Sequence, residues 1–192
     1  MKHKEISMKT KTALAASLKR HMAKKPFRKI TVSEIITDCN VNRKTFYYHF
    51  SDIYALLKWM LEHEVFKVVE NHVPTADYEE IISFGMDYVD ANAEILTSAY
   101  DSIGREEMKK IFCQDFLEIV RGLIDHIEAD EGLSVSDDFK DFLTQLFTES
   151  MASIIVDRFR RQNMRSREDT INYLMLIIRH SLPEVLRNAP AA

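Results

Sequence analysis

Two helix-start signals stand only eleven residues apart in the stretch Thr31–Phe50, which reads TVSEIITDCNVNRKTFYYHF. Thr31 and Glu34 have the S/T-x-x-E spacing of a capping box, in which each side chain bonds the other residue's backbone amide. Asn42 can cap a second helix, and Asn40 tolerates the left-handed conformation that ends a first one. So little space between two caps predicts two short helices joined by a turn, a helix-turn-helix.

A third helix precedes this motif. Leu14, Leu18 and Met22 recur at i, i+4 and i+8, and the charged residues fall off that stripe. The pattern predicts an amphipathic helix over residues 8–24. Pro26 ends it, because proline disfavours the helical conformation in the residue before it. The N-terminal part is thus expected to be a bundle of three helices.

Charge divides the chain into two unlike parts. Residues 1–60 hold 13 Lys and Arg against 4 Asp and Glu, a net charge of +9, whereas residues 61–192 carry −13. A basic head on an acidic body indicates a local module for a polyanion such as nucleic acid.

The second helix of the motif separates apolar from polar residues. Phe46 and Phe50 are four residues apart, so they share one face and should pack inward. The other side and the first turn then carry groups suited to DNA, because arginine pairs with base edges and hydroxyl groups bond phosphate. These residues are Arg43, Lys44, Thr45, Tyr47, Tyr48 and His49.

The run ITVSEIITDCNVNRKTFYYHFSDIYALL resembles the TetR family of bacterial transcriptional regulators, and the likeness covers residues 12–57. It implies a DNA-binding domain over residues 1–51 and a larger helical domain over 52–192 for dimerisation and ligand binding. Ile53 departs from the family's usual lysine, and Lys58 lies one turn further on as a candidate substitute. The predicted DNA-binding residues are Thr31, Ser33, Asn42, Arg43, Lys44, Thr45, Tyr47, Tyr48 and His49.

A narrower resemblance concerns how such a protein is switched. The spacing of Leu56, Leu57, Lys58 and Trp59 is similar to that of the dihydroxyacetone-kinase operon activators. That branch has the TetR fold but responds to a partner protein. A small-molecule effector and a protein co-regulator therefore both remain open as the switch.

The remainder of the chain is predicted to be all-α, since only four glycines and four prolines interrupt it. Its last two helices, over 136–162 and 167–187, are apolar on more than one stripe, which favours a homodimer held by a four-helix bundle. The predicted dimer residues are Phe142, Leu146, Met151, Ile154, Ile155, Ile171, Leu174 and Ile178. A monomer core explains the same pattern.

Six aromatic residues of the body are candidates for lining an effector pocket between helices. At helical spacing, aromatic residues serve equally well as plain core, so both interpretations stand. The six candidates are Phe66, Phe84, Tyr88, Tyr100, Phe112 and Phe116.

Several function classes are disfavoured. His63 lies between two glutamates, but Lys67 stands where a zinc protease would have its second histidine. Phosphate-binding glycine loops and nucleophile elbows do not occur, so we expect neither an enzyme nor a bound cofactor or metal. Two cysteines and the lack of an apolar run of about 20 residues predict a cytoplasmic protein that does not span a membrane.

The sequence thus predicts a homodimeric TetR-like regulator, acting as a repressor, that binds a palindromic double-stranded DNA operator and is released by a small molecule. Its first rival is a regulator or activator switched by a partner protein. A second rival is a helical scaffold whose basic head contacts membrane or RNA.

Overall fold

The computed structural model describes residues 2–70, 78–160 and 165–191, and its regular structure is helical in all three ranges. The all-α prediction is confirmed. The helices are α1 (Lys2–Met22), α2 (Val32–Asp38), α3 (Arg43–His49), α4 (Ile53–Glu70), α5 (Tyr78–Ala91), α6 (Ala93–Ile103), α7 (Arg105–Asp130), α8 (Asp137–Phe159), α9 (Arg167–Leu176) and α10 (Leu182–Arg187). Within the described ranges, none combines the length and apolarity needed to cross a bilayer.

The head consists of α1, α2 and α3. Its first helix starts at Lys2, six residues earlier than predicted. The added turns contain no glycine or proline, and Glu5 pairs with Lys9 one turn on, with Oε1 3.7 Å from Nζ. Local ion pairs of this kind can extend a helix beyond its apolar stripe. Hydrophobic periodicity detects only the apolar stripe, so it misses such an extension.

One apolar core joins the head to the body. Leu14, Leu18 and Phe46 of the head are fully buried, and they belong to the same cluster as Met108 of α7 and Met175 of α9. The linking helix is α4, which buries Leu56, Leu57, Met60 and Leu61. Because no surface divides this cluster, the head is expected to respond to shifts in the body helices.

The cap of α4 is Asp52. Its Oδ1 accepts the backbone N–H of Ala55, at 2.8 Å. The Ser51 hydroxyl donates to the other carboxylate oxygen of Asp52, at 3.3 Å. Serine and aspartate are both good caps, so the sequence alone does not rank these two neighbours.

Polar contacts also tie the head to the body. Lys19 of α1 pairs with Glu64 of α4, with Nζ 2.7 Å from Oε2. The hydroxyl of Tyr88 on α5 donates to the same oxygen at 2.8 Å. Just past α1, the backbone N–H of Phe27 donates to the Ser98 hydroxyl of α6 at 3.0 Å. The head is therefore linked to α4, α5 and α6 by directional contacts as well as by apolar packing.

The chain's single tryptophan stands at the same junction. Trp59 of α4 meets Phe50, the residue after α3, edge to face at 5.9 Å between ring centroids. On its other side it stacks on His63 at 4.6 Å. The ammonium of Lys11 lies 5.8 Å from the centre of the indole ring, within cation–π range. Trp59 thus contacts both the head and the linking helix.

The pair α7 and α8 forms the most extensive helix contact of the body. Their ion pairs fix an antiparallel arrangement, since Arg105 meets Asp157 at one end and Glu128 meets Lys140 at the other. Between these ends, Lys109 pairs with Glu149. Antiparallel packing is what the short connection from α7 to α8 favours.

The C-terminal helix runs over residues 167–187, as predicted, but its geometry is not uniform. It contains a π-turn at Ile177–Ser181, between α9 and α10. Pro183 stands in the first turn of α10 and has no backbone N–H, so it cannot continue the regular hydrogen-bond pattern. A widened turn before the proline absorbs this mismatch.

Candidate nucleic-acid interface

The capping box at the start of α2 is confirmed. The Thr31 hydroxyl accepts the backbone N–H of Glu34 at 3.3 Å, and the Glu34 carboxylate accepts the backbone N–H of Thr31 at 2.9 Å. Lys25 adds an ion pair, with Nζ 2.5 Å from Oε1 of Glu34. Lys25, and after it Thr31, lower the pKa of Glu34 from its ordinary 4.5 to about 2. The box therefore holds an ionised carboxylate.

This pKa gives a stability prediction with a definite sign. Since the folded pKa of Glu34 lies below the unfolded value of 4.5, its contribution is complete above pH 4.5 and is lost as the pH falls to about 2. Glu34→Gln should flatten the dependence of the unfolding free energy on pH across this window, as measured by urea denaturation at several pH values. Ser33→Ala should keep the slope of the parent protein, and an unchanged slope in Glu34→Gln would contradict the assignment.

The C-terminal end of α2 is fastened to α1. The buried Ser17 hydroxyl donates to Oδ2 of Asp38 at 2.6 Å, and Arg20 pairs with the same oxygen at 2.5 Å. These two partners, the Ser17 hydrogen bond first, lower the pKa of Asp38. The contact between Ser17 and Asp38 was not predicted. The available signal was a serine next to the apolar positions Leu14 and Leu18, because a buried hydroxyl group needs a hydrogen-bond partner.

The turn between the two helices has the predicted geometry. Asn40 has φ 51°, the left-handed conformation expected of it. The backbone N–H of Val41 returns to the carbonyl of Ile36 at 3.0 Å, which closes the end of α2. The N-caps Thr31 and Asn42, together with the left-handed Asn40, set the angle between α2 and α3.

The third helix starts at its predicted cap. Oδ1 of Asn42 accepts the backbone N–H of Thr45 at 2.7 Å. Phe46 and Phe50 are 0% and 5% exposed, so the inward face is confirmed. Tyr47 and Tyr48 are 48% and 72% exposed, so both side chains are accessible on the opposite side of α3.

Arg43 and Lys44 are exposed at the first turn of α3. The guanidinium carbon of Arg43 lies 5.7 Å from the centre of the Tyr47 ring, so these two side chains already form one surface in the free protein. Thr45 and His49 are half-buried on the flank. Ser33 is exposed at the start of α2.

The environment of His49 favours its neutral form. Burial, and then the nearby Lys11 cation, lower its pKa below the ordinary value of 6.5. The imidazole is therefore neutral at pH 7, and a neutral ring can donate one N–H to phosphate.

Two predicted contact residues already serve as caps. The Thr31 hydroxyl accepts from the Glu34 amide and also donates to its carboxylate, at 3.0 Å. Asn42 uses its carbonyl oxygen for the cap, so its side-chain NH2 is the group suited to donate to DNA. Lys58, the candidate substitute at the start of α4, pairs with Glu107 of α7 at 3.6 Å and so belongs to the body.

The predicted pocket residues are dispersed. An apolar cavity of about 70 Å³ lies between α5, α7, α8 and α9, and Phe116 lines it. Phe112 is buried, and Phe84 is 44% exposed. Tyr88 bonds Glu64, and Tyr100 lies 4.6 Å from the Arg160 guanidinium. The side chain of Phe66 falls outside the described residues.

The predicted dimer residues divide into three groups by exposure. Phe142 and Leu146 are 58% and 48% exposed, whereas Ile155 and Ile171 are buried in the core. The other four are half-buried and line the cavity: Met151, Ile154, Leu174 and Ile178.

Comparison with known families identifies the head. Residues 14–60 match the model of the bacterial regulatory proteins, tetR family. The likeness to this family therefore covers the head and the start of α4. The matched segment runs from α1 into α4 and includes every residue predicted to bind DNA. Because the matched family consists of regulatory proteins, the match supports a DNA-binding regulator rather than an enzyme.

Solved structures extend the likeness of fold from the head to the body. The dihydroxyacetone kinase operon activator DhaS has the same fold, with a TM-score of 0.66 and 18% identity. The match covers 95% of this chain and 98% of that one. A search of the curated proteins gave no match.

Proposed function

We propose that this TetR-family protein is a cytoplasmic repressor that binds a palindromic operator as a homodimer and leaves it when a small molecule binds the body. One observation carries the DNA-binding part. The third helix buries Phe46 and exposes Arg43, Lys44, Tyr47 and Tyr48 on a head of net charge +9. A short helix with this division is suited to dock by its first turn in a major groove.

Homodimerisation is supported by an exposed apolar surface near the C-terminus. We define the C-terminal apolar face by its exposed large side chains on α8, α9, the π-turn and α10. Such a surface on a soluble protein favours a partner, and a two-fold pair of helices would bury it. The face consists of Phe142, Leu146, Tyr173, Leu176, Ile177 and Val185, each between 38% and 59% exposed.

The two-fold symmetry of the proposed dimer explains why the proposed operator is palindromic. Two recognition helices related by a two-fold axis would contact half-sites one helical turn, about 34–36 Å, apart. Release then requires only that the separation of the heads change. The link from Tyr88 through Glu64 to Lys19 and the shared core supply a route from the body to the head.

Arg43→Ala should relax base preference at one position of each half-site and weaken operator binding by about 1–3 kcal/mol. The reason is that arginine can donate two hydrogen bonds to a guanine edge, whereas lost phosphate contacts weaken all sequences alike. Affinity for operators substituted at each position, measured by fluorescence anisotropy at fixed salt, gives the result.

Tyr47→Phe is the contrast, since it removes the phenol but keeps the ring against Arg43. Its binding should fall by a similar factor on every sequence, as expected for a phosphate contact. A loss confined to one base pair in Tyr47→Phe, or an unchanged footprint and affinity in Arg43→Ala, would contradict these roles.

Selection of bound fragments from a genomic library would test the whole proposal. The expected product is duplex DNA with two inverted half-sites whose centres lie about 10–10.5 base pairs apart. Single-stranded RNA and acidic vesicles at the same salt serve as rival ligands. Equal binding to these, or no enriched duplex at low salt, would favour the scaffold interpretation instead.

A second candidate function is an activator switched by a partner protein. The name of the structural neighbour, an operon activator, favours it. The two candidates differ in what releases or strengthens the operator complex. Cell extract separated by ultrafiltration into metabolites and proteins distinguishes them, because only the metabolite fraction should act on a ligand-switched repressor.

A further inference from the structure

The apolar cavity in the body is lined almost entirely by hydrocarbon. Twelve of its fourteen lining residues are aliphatic residues, methionine or phenylalanine, and the other two are Gly85 and Tyr78. Burial, and then the charge of Asp130, raise the pKa of Tyr78 above its ordinary value, so its phenol is neutral. Among the residues that the structure describes, none of those lining the cavity is charged.

Such a wall selects its ligand by chemistry. An ion would lose its hydration here without gaining a partner, which disfavours any charged molecule. An apolar cavity stays dry, and an engineered cavity of roughly 150 Å³ binds benzene or xenon. This one has about 70 Å³, so it accommodates a group of a few carbon atoms, and a larger ring requires α5 to move outward.

Gly85 keeps this space open. It lies within α5, where glycine is a poor helix former. A Cβ atom built at this position would meet no atom within 4 Å, and its φ is not in the left-handed range. Neither close packing nor backbone conformation therefore requires glycine here. Because Gly85 has no Cβ methyl group, additional volume remains on the cavity side of α5.

The π-turn meets the same cavity. Its residue Ile178 is part of the wall, together with Leu174 of the preceding helix. Turns of this type occur frequently at functional sites, because they widen the helix and redirect side chains. Two irregular features, a helical glycine and a π-turn, thus meet at one cavity.

One of the helices that line the cavity, α5, also contacts the head. Three arginines hold the outer side of α5 through ion pairs: Arg179 with Glu79, Arg167 with Asp87 and Arg158 with Asp90. Pairs at a surface rearrange at little cost. Tyr88 of the same helix reaches the pair formed by Lys19 and Glu64.

We propose that this cavity is a binding site for a small, uncharged, apolar molecule, or for the apolar end of a longer one, and that its occupancy moves α5. The proposal that a ligand binds here depends only on the shape and the lining of the cavity. Its role as the effector site rests on the proposed function, because only a DNA-bound regulator has an operator to release.

Two methionines of the wall provide the measurement. Met86 and Met151 line the cavity, whereas Met60 is buried between head and body. In the full chain labelled with ¹³C-methyl methionine, benzene and xenon should shift Met86 and Met151 saturably and leave Met60 in place. Benzoate, a charged molecule of similar shape, should shift neither. Absence of a saturable shift with benzene and xenon, or equal binding of benzoate, overturns the proposal.

The chain offers a matched pair of glycine variants. Gly85 and Gly122 both lie inside helices, and an added Cβ meets nothing within 4 Å at either one, but only Gly85 lines the cavity. Gly85→Ala should weaken benzene binding at least about fivefold by filling part of the space, while Gly122→Ala leaves it unchanged. Equal weakening in both variants, or none in Gly85→Ala, overturns the assignment.

Operator affinity, measured in the same samples, distinguishes ligand binding in the cavity from the effector role of that binding. If the protein without any additive does not bind duplex DNA, the proposed regulator function is contradicted, but the proposed ligand site in the cavity is not. With saturating benzene, a fall in operator affinity that is smaller in Gly85→Ala supports the effector role. Unchanged affinity at full occupancy overturns that role and leaves the binding site standing.

Discussion

Leu146→Glu should leave the protein monomeric and weaken operator binding at least about a hundredfold. Leu146 is 48% exposed on the C-terminal apolar face, and in the proposed dimer it would be covered by the second copy. A carboxylate buried there without a partner opposes association. A monomer engages one half-site at a time, so it loses the gain of about 10²–10⁴ that linked binding gives. Analytical ultracentrifugation and a gel-shift assay with the operator measure the two effects.

Leu117→Glu is the matched control for this experiment. Leu117 is 51% exposed on α7, so the substitution introduces the same charge at a similarly exposed leucine outside the C-terminal apolar face. It should remain dimeric and keep its operator affinity. A dimeric Leu146→Glu protein, or dissociation of Leu117→Glu, would mean that another surface joins the two copies.

Phe46→Ala should lower the free energy of unfolding by about 3–5 kcal/mol, the range measured for large core aromatic residues. Phe46 is fully buried in the cluster shared by the head and the body. A loss of this size is a large part of the 5–15 kcal/mol that typically holds a domain together. Urea denaturation followed by circular dichroism gives the value, and DNA binding should disappear with the fold of the head.

Tyr48→Ala separates stability from recognition. Tyr48 belongs to the same helix but is 72% exposed, so its truncation should change the free energy of unfolding by no more than about 0.5 kcal/mol. Operator affinity should nevertheless fall. If Tyr48→Ala destabilises the protein as much as Phe46→Ala does, the exposed side of α3 is packed rather than available to DNA.

The head was largely predictable because its signals are local. The capping box of Thr31 and Glu34, the left-handed Asn40 and the cap at Asn42 each depend on residues within one turn. A short side chain and its neighbouring amides decide such geometry, so the sequence contains all the partners.

The contacts that position the head were not predictable in the same way. Ser17 meets Asp38 across 21 positions of sequence, and Lys58 pairs with Glu107 of α7. Partners this far apart in sequence are brought together only by the packing of helices. Periodicity gives the face on which a residue lies but not the helix that it meets.

The body shows the same limit more strongly. Phe142 and Ile155 both lie on apolar stripes of α8, yet one is 58% exposed and the other 6%. Hydrophobic spacing cannot tell a surface that covers the chain's own core from one left for a second copy. The cavity depends likewise on a missing methyl group at Gly85 and on the π-turn, and neither has a periodic signature.

Trp59 gives the molecule an optical reporter that needs no label. Its indole touches Phe50, the residue after α3, and His63 along α4, and the Lys11 cation lies close to the ring. Emission from an indole responds to the polarity and charge around it, and no second tryptophan contributes background. A tilt of the head relative to α4 should therefore appear as a change in wavelength or intensity, visible in solution while DNA or a ligand is titrated.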